Sequence, residues 1–215
     1  MKQQILTITE NVPVTAAVYR MTLTAPDLEQ QKPGGFVNIR LDELFLRRPI
    51  SVYDSEPGHL TILYKVVGKG TGQMAAMRPG ETLDVLTDLG NGYDLSKAGE
   101  TPLLMGGGVG VPPLYLLAKQ LTAQGKKVRA VLGFNTADEV FGEEAFRSLG
   151  CEVTVTLQPS VLNAFSPKTS VAVLKPSIAC TVFPPAVSCF ASRYRGGTPT
   201  PPPSSSGVPP ALDRS

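Results

Sequence analysis

The stretch LLMGGGVGVPPLYLLAKQL, residues 103–121, decides the fold of the second half of this chain. Residues 103–105 form a short apolar run that suits a buried strand. From Val111 to Gln120 the leucines recur at helical spacing. Four glycines lie between these segments: Gly106, Gly107, Gly108 and Gly110. Because glycine allows tight turns and close approach of a ligand, the stretch predicts a strand, a glycine turn and a helix.

The predicted helix begins with Pro112 and Pro113, which a first helical turn accepts. Free N–H groups at such a helix start can hold a phosphate. The turn is not the dinucleotide fingerprint, since Val111 stands where that pattern has its third glycine and the next strand ends without an acidic residue. Taken alone, the turn fits packing as well as it fits ligand binding.

Residues before this stretch predict short antiparallel strands. Apolar and polar side chains alternate in several segments that turn residues such as Pro33-Gly34-Gly35 and Pro57-Gly58 separate. The predicted strands are residues 5–9, 17–24, 36–41, 47–53, 60–67 and 82–86, with a short helix at 71–77. We therefore expect a small closed β-barrel domain at residues 1–97.

Residues 98–157 predict an α/β domain with a parallel sheet. After the first strand and helix come a strand at 127–132, a helix at 138–149 and a strand at 151–156. A βαβαβ order implies right-handed crossovers and parallel strands. Three strands make only half of a nucleotide-binding domain, so this domain is expected to be incomplete.

Composition excludes several classes of protein. No apolar run has the length of a membrane span, and the start lacks the apolar core of a signal peptide, so we expect a cytoplasmic chain without a membrane partner. The three cysteines, Cys151, Cys180 and Cys189, are too few and too far apart for a four-ligand metal site. Residues 1–157 carry a net charge of −2, which gives no indication of nucleic-acid binding.

Three segments carry residues suited to a cofactor. They are Arg48-Pro49-Ile50-Ser51, Leu63-Tyr64-Lys65 and Gly70-Thr71. Each residue alone fits an ordinary structural role. Together, in this order and ahead of the glycine turn, they resemble the flavin-binding barrel of ferredoxin reductase-like proteins.

A closer resemblance covers residues 1–157 in unbroken order. RRPISV, LYKVVGKGT, LGNGYDL, LLMGGGVGVPPLY and LGFNTADEVFGEEAFRSLG are similar to the electron-transfer subunit of NAD-dependent, class 1B dihydroorotate dehydrogenase. The resemblance implies an oxidoreductase subunit of pyrimidine (UMP) biosynthesis. It also implies a catalytic partner subunit with FMN, joined in a heterotetramer.

The resemblance implies FAD at the first three segments. Arg48 is a permanent cation suited to the pyrophosphate, as are the N–H groups of Gly70 and Thr71 and the Thr71 hydroxyl. Ser51 would lie near the flavin N5, in one segment with Pro49 and Ile50. Residues 63–65 would lie along the cofactor.

NAD(H) is implied as the electron donor or acceptor. The turn at Gly106, Gly107, Gly108 and Gly110 would hold its nicotinamide toward the flavin. The sequence does not distinguish NADH from NADPH. Two alternatives stay open: a related flavin reductase that serves another partner, such as a ferredoxin or sulfide oxidoreductase subunit, and a truncated FAD-binding module without electron output.

The family also carries a [2Fe–2S] cluster, which needs four thiolates. After residue 158 this chain has only Cys180 and Cys189, with no C-x-x-C pair. No cluster ligand can therefore be assigned to any residue.

Residues 158–215 differ in character from the rest of the chain. They hold 11 of the 20 prolines and a single acidic residue, Asp213. Their low-complexity end, GGTPTPPPSSSGVPP, cannot build a core. We expect a poorly ordered segment, and we hypothesise that it is the product of a shifted reading frame in a GC-rich coding sequence.

Translation of the underlying DNA in the other two forward frames tests this hypothesis. Beyond codon 158, one frame should encode further strand–helix units, a Cys-Gly-Pro motif and four clustered cysteines. Two frames without clustered cysteines would instead identify a divergent protein with its own C-terminal sequence.

Overall fold

A computed structural model describes residues 1–157 of the chain, and the prediction of a poorly ordered, frame-shifted tail concerns residues outside this range. Six antiparallel strands close into a barrel in the order β1-β2-β5-β4-β3-β6. Their bounds are β1 Lys2–Pro13, β2 Val18–Thr24, β3 Phe36–Ile39, β4 Arg48–Glu56, β5 His59–Lys65 and β6 Thr82–Leu89. The predicted barrel is confirmed.

The barrel interior follows from the alternation of apolar residues along its strands. Met21 and Leu23 of β2 and Val37 and Ile39 of β3 are fully buried in one core. Helix α1, Lys69–Ala76, follows β5 and buries Met74 in the same core. Burial of one strand face against the opposite wall is what fixes the strand register.

A three-stranded parallel sheet forms the second part, as predicted. Its strands β7 (Leu103–Gly107), β8 (Arg129–Gly133) and β9 (Glu152–Thr156) lie in sequence order, with helices α2 (Pro112–Ala123) and α3 (Glu143–Ser148) in the crossovers. Leu104, Ala130, Leu132 and Val153 share one core with both helices. None of the helices in the described range has the length and apolar character required to cross a bilayer.

The single helix predicted at residues 138–149 is wrong. A 3-10 turn at Ala137–Glu139 is followed by extended backbone at Val140, and α3 begins only after Gly142. Gly142 has φ +79°, in the left-handed region that interrupts a helix. This break turns Phe141 into the core, where its ring meets Phe134 edge-on at 5.1 Å. The apolar spacing resembled a helix because both halves of the break bury apolar side chains.

Barrel and sheet are joined through the outer face of β4. Tyr53 of β4 stacks on Tyr115 of α2 with ring centroids 4.3 Å apart, and Phe146 of α3 meets Tyr115 edge-on. Burial raises the pKa of Tyr53 well above its ordinary value, so the phenol stays neutral. Beside the stack, Lys119 Nζ of α2 contacts Asp54 at 3.0 Å and Glu56 at 2.7 Å.

Replacement of Lys119 by methionine tests how much this ion pair contributes to the junction. The methionine keeps an apolar stem but leaves the partly buried Asp54 without its cation. We expect the free energy of unfolding to fall by about 1 kcal/mol in chemical denaturation. The control Lys97→Met breaks only the exposed Lys97–Asp94 pair and should change stability by less than about 0.5 kcal/mol. Equal effects would show that Lys119 contributes no more than a surface charge.

Candidate functional site

Strands β4 and β5 separate at one end of their pairing. Their ladder runs from Glu56 and His59 to Val52 and Ile62. Beyond that point residues 48–51 pair only with β3, and residues 63–65 pair only with β2. The facing edges of residues 48–51 and 63–65 therefore have no ladder partner in the described chain. Backbone N–H and C=O groups along such edges can bind a ligand.

Arg48 reaches from the start of β4 to the start of α1. A Cβ atom at Gly70 would lie 2.3 Å from Arg48 Nε, so any residue other than glycine would displace the guanidinium. Arg48 Nη1 also donates to the carbonyl of Leu46. The structure thus brings together the predicted site residues Arg48 and Gly70, which lie 22 positions apart in the sequence.

The start of α1 offers free N–H groups beside this guanidinium. The first hydrogen bond of the helix runs from Gly72 N–H to the carbonyl of Gly68, so the N–H groups of residues 69–71 precede the helical ladder. Free N–H groups and a helix dipole favour an anion at this position. The Thr71 hydroxyl is already engaged, because it accepts from the N–H of Val67 at 2.9 Å and donates to the carbonyl of Gly68.

Residues 63–65 serve different neighbours. Leu63 is buried in the core of the α/β part, and Tyr64 is buried in the barrel core. The Tyr64 hydroxyl donates to Asn11 Oδ1 at 3.0 Å. Only Lys65 extends toward the surface, so Leu63 and Tyr64 can meet a cofactor with their backbone but not with their side chains.

Asn11 connects Tyr64 to the helix. Its Nδ2 donates to the carbonyls of Met74 at 2.9 Å and Met77 at 2.8 Å. Burial raises the pKa of Tyr64 to about 12, so its hydroxyl keeps the proton that it donates to Asn11. Tyr64 therefore positions α1, and with it the anion site, from inside the barrel.

The RPIS segment divides between the two faces of β4. Ile50 packs against the barrel core, as its alternation with Val52 requires. Pro49 is exposed and Ser51 is half-buried, on the face that carries Tyr53 further along the strand. Pro49 and Ser51 are thus the residues of this segment whose side chains border the outer face beside the strand opening.

The predicted glycine turn is shorter than expected. Gly106 and Gly107 belong to β7, and only Gly108–Gly110 forms the turn. A Cβ atom at Gly106 would lie 2.7 Å from the carbonyl oxygen of Gly110 and 2.8 Å from Leu114 Cδ1, so this glycine is required by packing. Gly108 has φ +51°, and a Cβ atom at Gly108 or Gly110 would meet no atom within 4 Å. These two glycines therefore face open space that a ligand can enter.

The phosphate site expected at the start of α2 stays a prediction, and the first turn of that helix contributes few N–H groups to it. Pro112 and Pro113 occupy its first positions and have no N–H group. The neighbouring N–H groups are engaged, since Val111 donates to Gly108 and Leu114 donates to Val111.

A narrow cleft of about 20 Å³ lies between the barrel and the glycine turn. Its lining includes Ala17, Lys65, Gly108, Phe134 and Glu139. Lys65 Nζ contacts Glu139 Oε1 at 3.0 Å, and the hydrogen bonds from Lys65 and Asn135 lower the pKa of Glu139. No local pattern in the sequence points to Glu139, because its lysine partner lies 74 positions earlier.

The residues present do not fit an iron–sulfur cluster. No group of three or more potential metal ligands occurs within residues 1–157. Cys151 is buried in the α/β core, and burial raises the pKa of its thiol, which disfavours the thiolate that a metal needs. The whole chain has three cysteines where a cluster takes four thiolates.

Comparison with curated proteins confirms the predicted resemblance. The chain is 44% identical over 170 residues to the dihydroorotate dehydrogenase B (NAD(+)) electron transfer subunit of Fusobacterium nucleatum, which covers 75% of this chain and 65% of that protein. It is 44% identical over 158 residues to the subunit of the same name from Bacillus pumilus, covering 70% of this chain and 61% of that protein. The chain thus spans less than two thirds of the length of these relatives. No protein-family model matches the sequence.

Solved structures agree on the fold. A structure of an NADH-dependent reduced ferredoxin-NADP oxidoreductase, studied for flavin-based electron bifurcation, superposes with a TM-score of 0.64 and 34% identity, covering 70% of this chain and 58% of that chain. Phthalate dioxygenase reductase superposes with a TM-score of 0.63 and 19% identity, covering 76% of this chain and 55% of that chain. The second likeness concerns the fold alone. Together they identify the barrel and sheet as a ferredoxin reductase-like architecture.

Proposed function

We propose that this chain is a flavoprotein subunit that binds FAD at the opening between β4 and β5 and moves electrons between NAD(H) and a protein partner. One observation carries the proposal: Arg48 lies against Gly70 at the start of α1, directly beside two strand edges without ladder partners. A cation and free helix N–H groups suit a pyrophosphate, and unpaired strand edges suit a planar ring with polar edges.

Each part of the site has one task. The Arg48 guanidinium and the N–H groups of residues 69–71 hold the pyrophosphate, while the Thr71 hydroxyl orders the backbone that presents them. The backbone of residues 48–51 and 63–65 orients the ring, with Ser51 at its rim. FAD, when bound, accepts a hydride from NADH and can release the electrons singly.

The cleft beside the glycine turn is the proposed place for the nicotinamide nucleotide. Gly108 lines this cleft together with Lys65 and Glu139, and a Cβ atom at Gly108 or at Gly110 would meet no neighbouring atom. Since β5 ends at Lys65, the cleft adjoins the proposed flavin site.

The relatives support a catalytic dihydroorotate dehydrogenase subunit as the partner. In this proposal the chain acts in the cytoplasm in de novo UMP biosynthesis, within a heterotetramer that includes an FMN-containing catalytic subunit. Because the cysteines do not fit a [2Fe–2S] cluster, we assign no electron transfer through such a cluster to this chain.

A second candidate is a flavin reductase subunit that serves a ferredoxin-type partner. The 34% identity to the NADH-dependent reduced ferredoxin-NADP oxidoreductase structure favours it. Co-expression distinguishes the candidates, because a dihydroorotate dehydrogenase subunit should co-purify with the chain under the first and not under the second.

Replacement of Arg48 by alanine tests the flavin site. A charge-assisted contact contributes about 1.5–3 kcal/mol, so the dissociation constant for FAD should rise about 10- to 150-fold. Titration of the apoprotein by calorimetry measures this change. The exposed Arg78 provides the control Arg78→Ala, which should bind FAD as the wild type does. Wild-type affinity in the Arg48 variant would exclude Arg48 from the flavin site.

Two glycine substitutions separate ligand approach from packing. Gly110→Ala adds a methyl group in open space, so stability should hold while flavin reduction by NADH slows at least about tenfold in stopped-flow measurements. Gly106→Ala should instead lower the free energy of unfolding by about 1–3 kcal/mol, because its methyl group would overlap Gly110 and Leu114. Gly99→Ala, also in open space, serves as the control. Reduction of the Gly110 variant at the wild-type rate would show that the turn serves packing only.

A further inference from the structure

Phe45 is an aromatic side chain with no cover. It is 100% exposed in the loop between β3 and β4, and its neighbour Leu46 is 66% exposed. Both residues precede the Arg48 segment by only a few positions. Covering an apolar side chain that is in full contact with water lowers the free energy, because its surface leaves water.

The loop that carries Phe45 is held firmly on both sides. Leu44 packs against the barrel core, so the adjacent Phe45 is directed outward. Arg47 forms an ion pair with Asp84 of β6 at 2.9 Å and donates to the carbonyl of Asn38. The hydrogen bond from Arg47 lowers the pKa of Asp84, so this carboxylate stays charged in the ion pair. Phe45 is therefore presented by an anchored loop.

The same loop borders the anion site at the start of α1. Glu43 lies 3.8 Å from Lys69, the first residue of α1. Arg48 donates to the carbonyl of Leu46 while its guanidinium lies against Gly70. Contacts on both sides of Phe45 thus connect its loop to the N–H groups that the proposed function assigns to a pyrophosphate.

We propose that Phe45 is the stacking platform for the adenine ring of FAD, an inference that rests on the proposed function. In FAD the adenine lies one ribose away from the pyrophosphate, within the neighbourhood of a pyrophosphate held at α1. Aromatic side chains stack readily on a purine face. The other half of the cofactor lies on the opposite side of the pyrophosphate, so Phe45 distinguishes FAD from FMN without contact to the flavin ring.

Removal of the ring tests the platform through the preference for FAD. In the full chain, Phe45→Ala should raise the dissociation constant for FAD about 5- to 100-fold and leave that for FMN unchanged. Phe45 is fully exposed, so its loss should not unfold the protein. The control Ile5→Ala removes another exposed apolar side chain on β1, which lies across the barrel from β4, and should change neither constant.

A tryptophan probe gives a direct readout, because the chain contains no tryptophan. In Phe45→Trp, ADP should quench the single tryptophan emission, whereas inorganic pyrophosphate should not, since only ADP carries adenine. Ile5→Trp should respond to neither. ADP is used because it has no flavin that would quench by energy transfer.

The outcomes separate the platform from the proposed function. Failure of the wild-type chain to bind FAD would refute the proposed function. Wild-type binding of FAD together with an unchanged FAD-to-FMN preference in Phe45→Ala would overturn only the platform. Equal weakening of FAD and FMN binding would also overturn the platform and would assign Phe45 to loop structure. Loss of partner co-purification alone would overturn it too and would assign Phe45 to a protein interface.

Discussion

The contact between the Arg48 guanidinium and Gly70 is the constraint on which the proposed site depends. It brings the start of β4 beside the start of α1, and a Cβ atom at Gly70 would displace the guanidinium. The same contact places a permanent positive charge beside helix N–H groups. Both the guanidinium and the positive end of the helix dipole favour an anion there. The neighbouring strand edges can then present unpaired backbone groups to the remainder of one ligand.

Polar groups inside the barrel maintain this arrangement. The Tyr64 hydroxyl donates to Asn11, and Asn11 donates to the carbonyls of Met74 and Met77 at the end of α1. A partly satisfied buried network is costly, so these bonds hold the helix in one orientation. The junction at Tyr53, Tyr115 and Lys119 in turn holds the glycine turn beside the end of β5. These hydrogen bonds and packing contacts hold the two sides of the cleft in place, which can position two ligands for electron transfer between them.

Much of the fold could be predicted because local patterns determine it. Alternating apolar residues identified the barrel strands, and the order of apolar runs identified the parallel sheet. The helix break at Gly142 is not visible in the sequence pattern, because a left-handed glycine leaves the apolar spacing around it unchanged. At the site, the contacts of Arg48 with Gly70 and of Lys65 with Glu139 join segments that are distant in the chain and could not be read from either segment alone. The two prolines of α2, by contrast, show in the sequence itself that its first turn has few N–H groups.

Amide hydrogen exchange of the full chain with and without FAD tests the central claim most directly, because it locates a bound ligand by the backbone groups that it protects. The account predicts that FAD slows exchange at the amides of Arg48, Ile50 and Ser51 and of residues 63–65 and 69–71, with little change at Gly108–Gly110 until NADH is added. Protection confined to the glycine turn, or none at the start of α1 despite bound FAD, would contradict the assignment of the strand opening as the flavin site.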